Sequence, residues 1–142
     1  MKWSKVWVVA PLVAGLALAC GSDVAEEDIV GTWNATGFVF SNFEDPVVDF
    51  DVIAMGGDVT IVIRADGTYT ITFTMPESQP EVDDGTWVLD GDQLTFDAGT
   101  VDESAFDVSL DGNTLTIHGE DLEFDFGDGD EPAQIDATFV RQ

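Results

Sequence analysis

Apolar and polar residues alternate along most of the chain that follows residue 29. Between residues 68 and 75, threonines fill every second position, and Tyr69, Ile71, Phe73 and Met75 fill the positions between them. A period of two places successive side chains on opposite faces of a β-strand, and β-branched and aromatic residues favour strands. The same pattern recurs at Val59, Ile61 and Ile63; Trp87 and Leu89; Leu94 and Phe96; Phe106, Val108 and Leu110; Leu115 and Ile117; Leu122, Phe124 and Phe126; and Ile135, Ala137 and Phe139. The pattern predicts an all-β protein in which these residues share one buried side.

Three short connections contain the residues of tight turns. Ala65-Asp66-Gly67, Asp90-Gly91-Asp92 and Asp111-Gly112-Asn113 each separate two apolar runs, and Asp-Gly and Gly-Asn tolerate the positive φ angles of hairpins. Hairpins indicate that neighbouring strands pair in sequence order, with the longer connections 76–84 and 99–105 at the rims. The predicted fold is an antiparallel up-and-down β-barrel of about 8–10 strands, because closure hides the apolar face and both edge strands. Two stacked sheets are the alternative, since alternation alone does not separate a sandwich from a barrel.

The first 19 residues have the composition of a secretory signal peptide. Lys2 and Lys5 precede an uncharged apolar run from Val6 to Ala19. This run is shorter than the roughly 20 residues that a helix needs to cross a bilayer. A basic start, an apolar centre and small residues at the end are typical of a segment that is removed during secretion. We therefore predict that residues 1–19 are cleaved from the mature protein.

The segment Leu16-Ala17-Leu18-Ala19-Cys20 resembles the lipobox of bacterial lipoproteins. The resemblance implies that the Cys20 thiol is diacylated and that the chain is cut just before it. Cys20 is the only cysteine, so no intramolecular disulfide can form. The lipid would attach the protein to a membrane of the cell envelope, with residues 20–28 as a tether. The residue after the cysteine is Gly21 and not Asp, and by the same resemblance this implies the outer membrane if the cell has two membranes. The alternative is an ordinary signal peptide with an unmodified cysteine.

The mature chain is strongly acidic. All 29 Asp and Glu residues follow Cys20, and Arg64 and Arg141 are the only Lys or Arg residues there, so the net charge of residues 20–142 is 2 − 29 = −27. This charge repels nucleic-acid phosphates and anionic lipid headgroups, which excludes a nucleic-acid partner. A saline habitat is the simplest explanation of the charge, with a cationic partner or bound divalent ions as alternatives. We expect the domain to be a monomer.

The first apolar run opens with Gly31-Thr32-Trp33, and Arg141 is the penultimate residue. A Gly-x-Trp at the start of the first strand of a meander barrel is similar to the signature of the lipocalins. The resemblance implies one lipocalin-like domain over residues 29–142, with Trp33 across the closed end of the barrel and Arg141 packed over it. A guanidinium over an indole contributes about 0.5–2 kcal/mol to stability.

A barrel of this size can enclose one small apolar ligand. We therefore predict a membrane-anchored protein whose barrel binds a small apolar molecule and needs no cofactor. The candidate lining residues are the inward aromatic residues Phe73, Trp87, Phe96, Phe106 and Phe124. The alternative is a structural or interaction lipoprotein whose rings fill the barrel and whose acidic surface makes the contacts. In the second Gly-Thr-Trp, we interpret Gly85 as the end of a loop and Trp87 as the start of a core-facing run.

Residues 120–131 are rich in Asp and Glu and end in Gly127-Asp128-Gly129-Asp130-Glu131. Ca²⁺ takes about 6–8 oxygen ligands, which a Gly-rich acidic loop can supply, but the spacing does not match an EF-hand loop. Solvated turns are the commoner origin of such runs, so no metal ligands are assigned. His118, the single histidine, falls on the face predicted to point outward, and no nucleophile motif accompanies it. We predict that the protein is not an enzyme.

Overall fold

The computed structural model describes residues 24–44, 47–127 and 129–142. Within these ranges the elements are α1 (Glu26–Ile29), β1 (Gly31–Asn42), β2 (Asp49–Asp51), β3 (Asp58–Ile63), β4 (Thr68–Thr74), β5 (Glu81–Asp90), β6 (Gln93–Phe96), β7 (Ser104–Asp111), β8 (Thr114–Asp125) and β9 (Asp130–Arg141). The only helix that the described residues form is a single turn, which confirms the all-β class. None of the helical structure in these ranges is long and apolar enough to cross a membrane. The predicted signal peptide and Cys20 lie outside the described residues.

The strands close into an antiparallel barrel. From β3 to β9 each strand pairs with the one that follows it, and β1 pairs with β3 along one edge. Along its other edge β1 pairs with β9, from Trp33↔Arg141 to Asn42↔Ala133, so eight strands form a closed ring. The short β2 pairs with residues 39–41 of β1 beside this ring. The up-and-down barrel is therefore confirmed, and two stacked sheets are excluded because the first and last strands pair from Trp33 to Asn42, with one irregularity between Ala35 and Gly37.

The two ends of the barrel differ in the length of their connections. The tight turns β3–β4, β5–β6 and β7–β8 lie at the end where β1 begins and β9 finishes, which we call the closed end. Each of these turns contains a glycine with positive φ (Gly67, Gly91 and Gly112), as their sequences predict. The longer connections 75–80 and 97–103 lie at the opposite, open end, where β1 ends and β9 begins.

Strand β5 begins earlier than its sequence predicts. Residues 76–84 were expected to form a rim connection, but Glu81 to Asp84 pair with β4, from Phe73↔Glu81 to Thr70↔Asp84. The alternation of apolar and polar residues is not visible there, because Asp83 is acidic although it points to the same side of the strand as Trp87. An acidic residue is tolerated at this inward position because the barrel interior is open to solvent near the open end.

The core fills the closed half of the barrel. The largest fully buried side chains are Trp33, Phe139, Ile29, Ile61, Ile63, Leu94, Leu115 and Val59. Burying each side chain of this kind contributes about 1.5–3 kcal/mol. Inward rings nearer the open end, such as Phe73, Phe96 and Phe106, are only half-buried. The packed core therefore stops part of the way up the barrel.

Candidate functional site

Trp33 covers the closed end of the barrel. Its side chain is fully buried, and its indole Nε1 donates a hydrogen bond of 2.8 Å to the carbonyl oxygen of Ile29. The guanidinium of Arg141 lies over the indole, with Cζ 4.3 Å from the ring centroid. The guanidinium also donates hydrogen bonds to two backbone carbonyl oxygens, that of Val30 at 2.8 Å and that of Asp28. Arg141 thereby joins the last strand, the indole and α1 in one contact group.

Gly31 makes room for this group. Its φ angle is +151°, and a Cβ atom at this position would lie 2.5 Å from Nη1 of Arg141. A larger residue would push the guanidinium away from the carbonyl oxygen of Val30. The structure thus brings together Gly31, Trp33 and Arg141, the three residues that the resemblance assigned to the barrel end. We call them the end cap.

A cavity of about 680 Å³ occupies the open half of the barrel. Its apolar wall is formed by Phe38, Phe40, Tyr69, Ile71, Phe73, Phe96, Phe106, Leu122 and Ile135. The wall therefore includes three of the five predicted lining residues: Phe73, Phe96 and Phe106. Several rings contact one another edge-on or tilted, as in Phe38–Phe73 at 5.3 Å and Phe96–Phe106 at 5.6 Å between centroids. Such contacts give the wall a defined shape.

The other two predicted lining residues do not reach the cavity. Trp87 is buried, and its indole Nε1 donates a hydrogen bond of 2.9 Å to the carbonyl oxygen of Arg64, in the turn before β4. This bond holds the side chain of Trp87 in the closed half of the barrel, where the core is packed. Phe124 lies near the end of β8, where its ring stacks on Phe40 at 4.2 Å. Alternation alone could not exclude them, because it gives the face of a strand but not the height along the barrel.

Polar residues that the sequence did not nominate line the same cavity. Asp83, Asp97 and Asp102 are among its lining residues. The hydroxyl of Tyr69 donates a hydrogen bond of 2.9 Å to Oδ2 of Asp97, and the backbone N–H of Thr86 donates one of 2.9 Å to Oδ1. Burial, the hydrogen bond to Asp97 and the charge of Asp83 raise the pKa of Tyr69 above its ordinary value. The phenol therefore stays protonated and acts as a hydrogen-bond donor.

Gly85 explains why the second Gly-Thr-Trp contains a glycine. It lies inside β5, not at the end of a loop as its sequence suggested. A Cβ atom there would lie 2.1 Å from Oδ1 of Asp97 and 2.7 Å from Cε1 of Tyr69. The glycine thus leaves the space in which the Tyr69–Asp97 pair sits.

We expect Gly85→Ala to lower the free energy of unfolding by about 1–3 kcal/mol, the usual cost of forcing atoms into a packed site. The methyl group would displace the carboxylate of Asp97 and strain the ring of Tyr69. Chemical denaturation of residues 20–142 measures the change. Gly37→Ala is the matched control, because a Cβ atom at Gly37 meets no atom within 4 Å. Equal stabilities for the two variants would contradict the close packing around Gly85.

The remaining chemical candidates lie outside the barrel. Nδ1 of His118 is 2.7 Å from Oδ1 of Asp136, and this hydrogen bond raises the pKa of the imidazole. Asp125 accepts hydrogen bonds from the backbone N–H groups of Gly127 and Gly129, which lower its pKa. In the described ranges, which omit Asp128, no three His, Cys, Asp or Glu side chains converge in a way that could hold a metal ion.

Comparison with known proteins agrees with this architecture. A search among curated proteins gave no match to the sequence. The family model of the lipocalin-like domain matches residues 29–117, from the buried Ile29 through β7 and into β8. This match covers more than half of the chain and includes the end-cap residues Gly31 and Trp33. The chain belongs to the lipocalin-like domain family.

Proposed function

We propose that this protein is a lipid-anchored binding protein of the cell envelope whose barrel holds one small apolar molecule. The observation that carries the proposal is the cavity of about 680 Å³ in the open half of the barrel. Small-molecule sites in proteins have volumes of about 300–1,000 Å³ and walls that are mostly apolar, with a few polar groups. The cavity fits this description in both volume and lining.

The arrangement of the core supports a ligand-binding cavity, and not a barrel interior that is filled by side chains. The closed half of the barrel is packed around Trp33 and Phe139. This packing stabilises the fold without the aromatic rings nearer the open end. Phe73, Phe96 and Phe106 are left half-buried around the cavity. A ligand that covers them would gain about 25 cal/mol for each Å² of apolar surface removed from water.

Binding, rather than catalysis, is the proposed activity. The imidazole of His118 contacts Asp136 on the outside of the barrel and does not line the cavity. The polar groups that line it are carboxylates and hydroxyls, which can orient a ligand by hydrogen bonds.

The proposed anchor rests on the N-terminal sequence. Leu16 to Cys20 resembles a lipobox, and the only thiol of the chain stands at the position that such a motif modifies. One acyl chain gives marginal membrane binding, at about 0.8 kcal/mol per buried methylene, so the two chains of a diacylated cysteine are needed for durable attachment.

The uncharged fluorophore N-phenyl-1-naphthylamine tests whether the cavity binds an apolar molecule. We expect one equivalent to bind residues 20–142 with enhanced fluorescence. Leu122→Trp should weaken this binding by about tenfold or more, because the larger side chain occupies space beside the cavity and overpacking costs about 1–3 kcal/mol. Leu122 is half-buried, so the fold should tolerate the change.

Val88→Trp is the matched control for this experiment. It also adds one tryptophan, but Val88 is an exposed residue of β5 that points away from Trp87. Its affinity for the fluorophore should equal that of the unmodified protein. A fluorophore that fails to bind, or that binds both variants equally well, would contradict the proposed site.

A further inference from the structure

Four aspartates line the apolar cavity, Asp83, Asp84, Asp97 and Asp102, and no arginine of the described residues lines it with them. Asp83 shares the inward side of β5 with Gly85 and Trp87, and it pairs with Ile71, another lining residue. Residues opposite each other on neighbouring strands point to the same face of the sheet. Asp97 follows β6 and reaches the same place, where its carboxylate accepts the hydroxyl of Tyr69. Both carboxylates therefore belong to the wall of the cavity.

The basic side chains of the mature chain are used elsewhere. Arg141 is held over Trp33 at the closed end. Nη2 of Arg64 donates a hydrogen bond of 2.8 Å to Oγ1 of Thr70, which alternates with the lining residues Tyr69 and Ile71 and so points outward. Among the residues that the structure describes, neither arginine lines the cavity. The mature sequence contains no lysine.

The hydroxyl of Tyr69 gives these carboxylates one hydrogen bond and no positive charge. It has one hydrogen to donate, and Asp97 already accepts it. Because the phenol is neutral, it balances neither charge. Carboxylates in a partly apolar cavity with low-dielectric walls focus a negative potential, which raises the local concentration of cations. The net charge of −27 strengthens this potential at low salt.

The position of Asp97 is specific and does not follow from acidic composition alone. Its φ angle is +52°, a conformation that non-glycine residues seldom adopt. Two hydrogen bonds with Thr86 hold it, one to its carboxylate and one from its own backbone N–H, and Gly85 leaves the space that it occupies. Many other acidic residues of the chain lie in exposed turns, as Asp66 and Asp92 do.

The aromatic wall beside these carboxylates also suits a cation. The rings of Tyr69 and Phe96 lie 4.4 Å apart between centroids, and Phe106 follows at 5.6 Å from Phe96. The face of an aromatic ring attracts an ammonium group within about 6 Å of its centroid. Aromatic rings and carboxylates together give favourable contacts to an apolar ligand that carries a positive charge.

We propose that the cavity selects an apolar ligand with a positively charged ammonium group, which lies against Asp83, Asp97 and the adjacent rings. This inference rests on the proposed binding function and specifies its ligand class. The apolar part of the ligand would occupy the cavity beside Phe38 and Phe73, and the ammonium group would replace the missing counter-charge.

Three probes with the same alkyl chain test the selectivity: decyltrimethylammonium, decanol and decanoate. Each is titrated below its aggregation concentration against residues 20–142 in displacement of bound N-phenyl-1-naphthylamine. At about 0.15 M salt the Debye length is about 8 Å, which suppresses the contribution of distant charges. We expect decyltrimethylammonium to bind about tenfold more tightly than decanol, and decanoate to bind most weakly.

Replacing each of the two carboxylates with a neutral amide of the same size tests whether they cause the preference for the ammonium probe. Asp83→Asn and Asp97→Asn should each weaken decyltrimethylammonium binding by about three- to tenfold more than they weaken decanol binding. Asp90→Asn is the matched control, because Asp90, like Asp83, is an exposed residue of β5 but does not line the cavity. It should change the affinity of neither probe.

The possible failures are distinguishable. Equal affinities for decyltrimethylammonium and decanol would overturn the ammonium site and leave the apolar cavity as the binding site. Equal losses in Asp83→Asn and Asp90→Asn would also overturn it, because the preference would then come from overall charge. Failure of all three probes and of the fluorophore to bind would overturn the binding function itself.

Discussion

Trp33→Ala should lower the melting temperature of residues 20–142 by about 10–20 °C. The indole is fully buried, and replacing a buried Trp with Ala costs about 3–5 kcal/mol. In a domain of this size each kcal/mol corresponds to roughly 3–5 °C. The substitution also leaves the carbonyl oxygen of Ile29 without its indole donor and the guanidinium of Arg141 without its ring. Calorimetry of residues 20–142 measures the effect.

A double-mutant cycle with Arg141→Ala separates the contact from general packing. The two losses should fall short of additivity by about 0.5–2 kcal/mol, the range of a cation–π contact in a partly buried site. Arg141→Lys should recover part of this coupling, because an ammonium can lie over the indole but cannot reproduce the fork that reaches two carbonyl oxygens. Arg64→Ala supplies a control pair, since Arg64 bonds to Thr70 and should add to Trp33→Ala without coupling. Strict additivity of Trp33→Ala and Arg141→Ala would show that the end cap is not an energetic unit.

Cys20→Ser should abolish lipidation and release the protein from the membrane fraction. A serine hydroxyl is much less nucleophilic than a thiolate, so a diacylglycerol group would not be transferred to it. The full chain is expressed in a bacterium that is fed labelled fatty acid, and both the label and the membrane fraction are followed. Gly21→Ala, at the neighbouring position, should retain both. Label that persists in Cys20→Ser would disprove the anchor.

The sequence predicts the ring of strands well because its signals are local. Asp-Gly pairs at residues 66–67, 90–91 and 111–112 specify tight turns, and strict alternation specifies the buried face. The end cap is also suggested by sequence, since Gly31 and Trp33 begin the first apolar run and Arg141 is one of only two Lys or Arg residues after Cys20.

The cavity and its charges were harder to predict because they depend on contacts distant in sequence. Alternation assigned Phe73, Phe106 and Trp87 to one interior but could not place Trp87 below the cavity. Asp83 made the start of β5 hard to recognise, because a carboxylate at an inward position interrupts the apolar alternation and looks like a loop residue. Only the pairing of β5 with β4 shows that Asp83 belongs to a strand. Asp97 lies in a loop with positive φ, and its role depends on the space left by Gly85, which alternation does not reveal.

The chain enters the barrel at its closed end, where α1 lies against Arg141. Residues 20–23 separate the proposed lipid from the first described residue, and four residues span at most about 14 Å. If Cys20 carries the proposed lipid, this short tether keeps the closed end of the barrel near the bilayer surface. The proposed cavity lies at the opposite end of the barrel, so the tether would leave its entrance unobstructed.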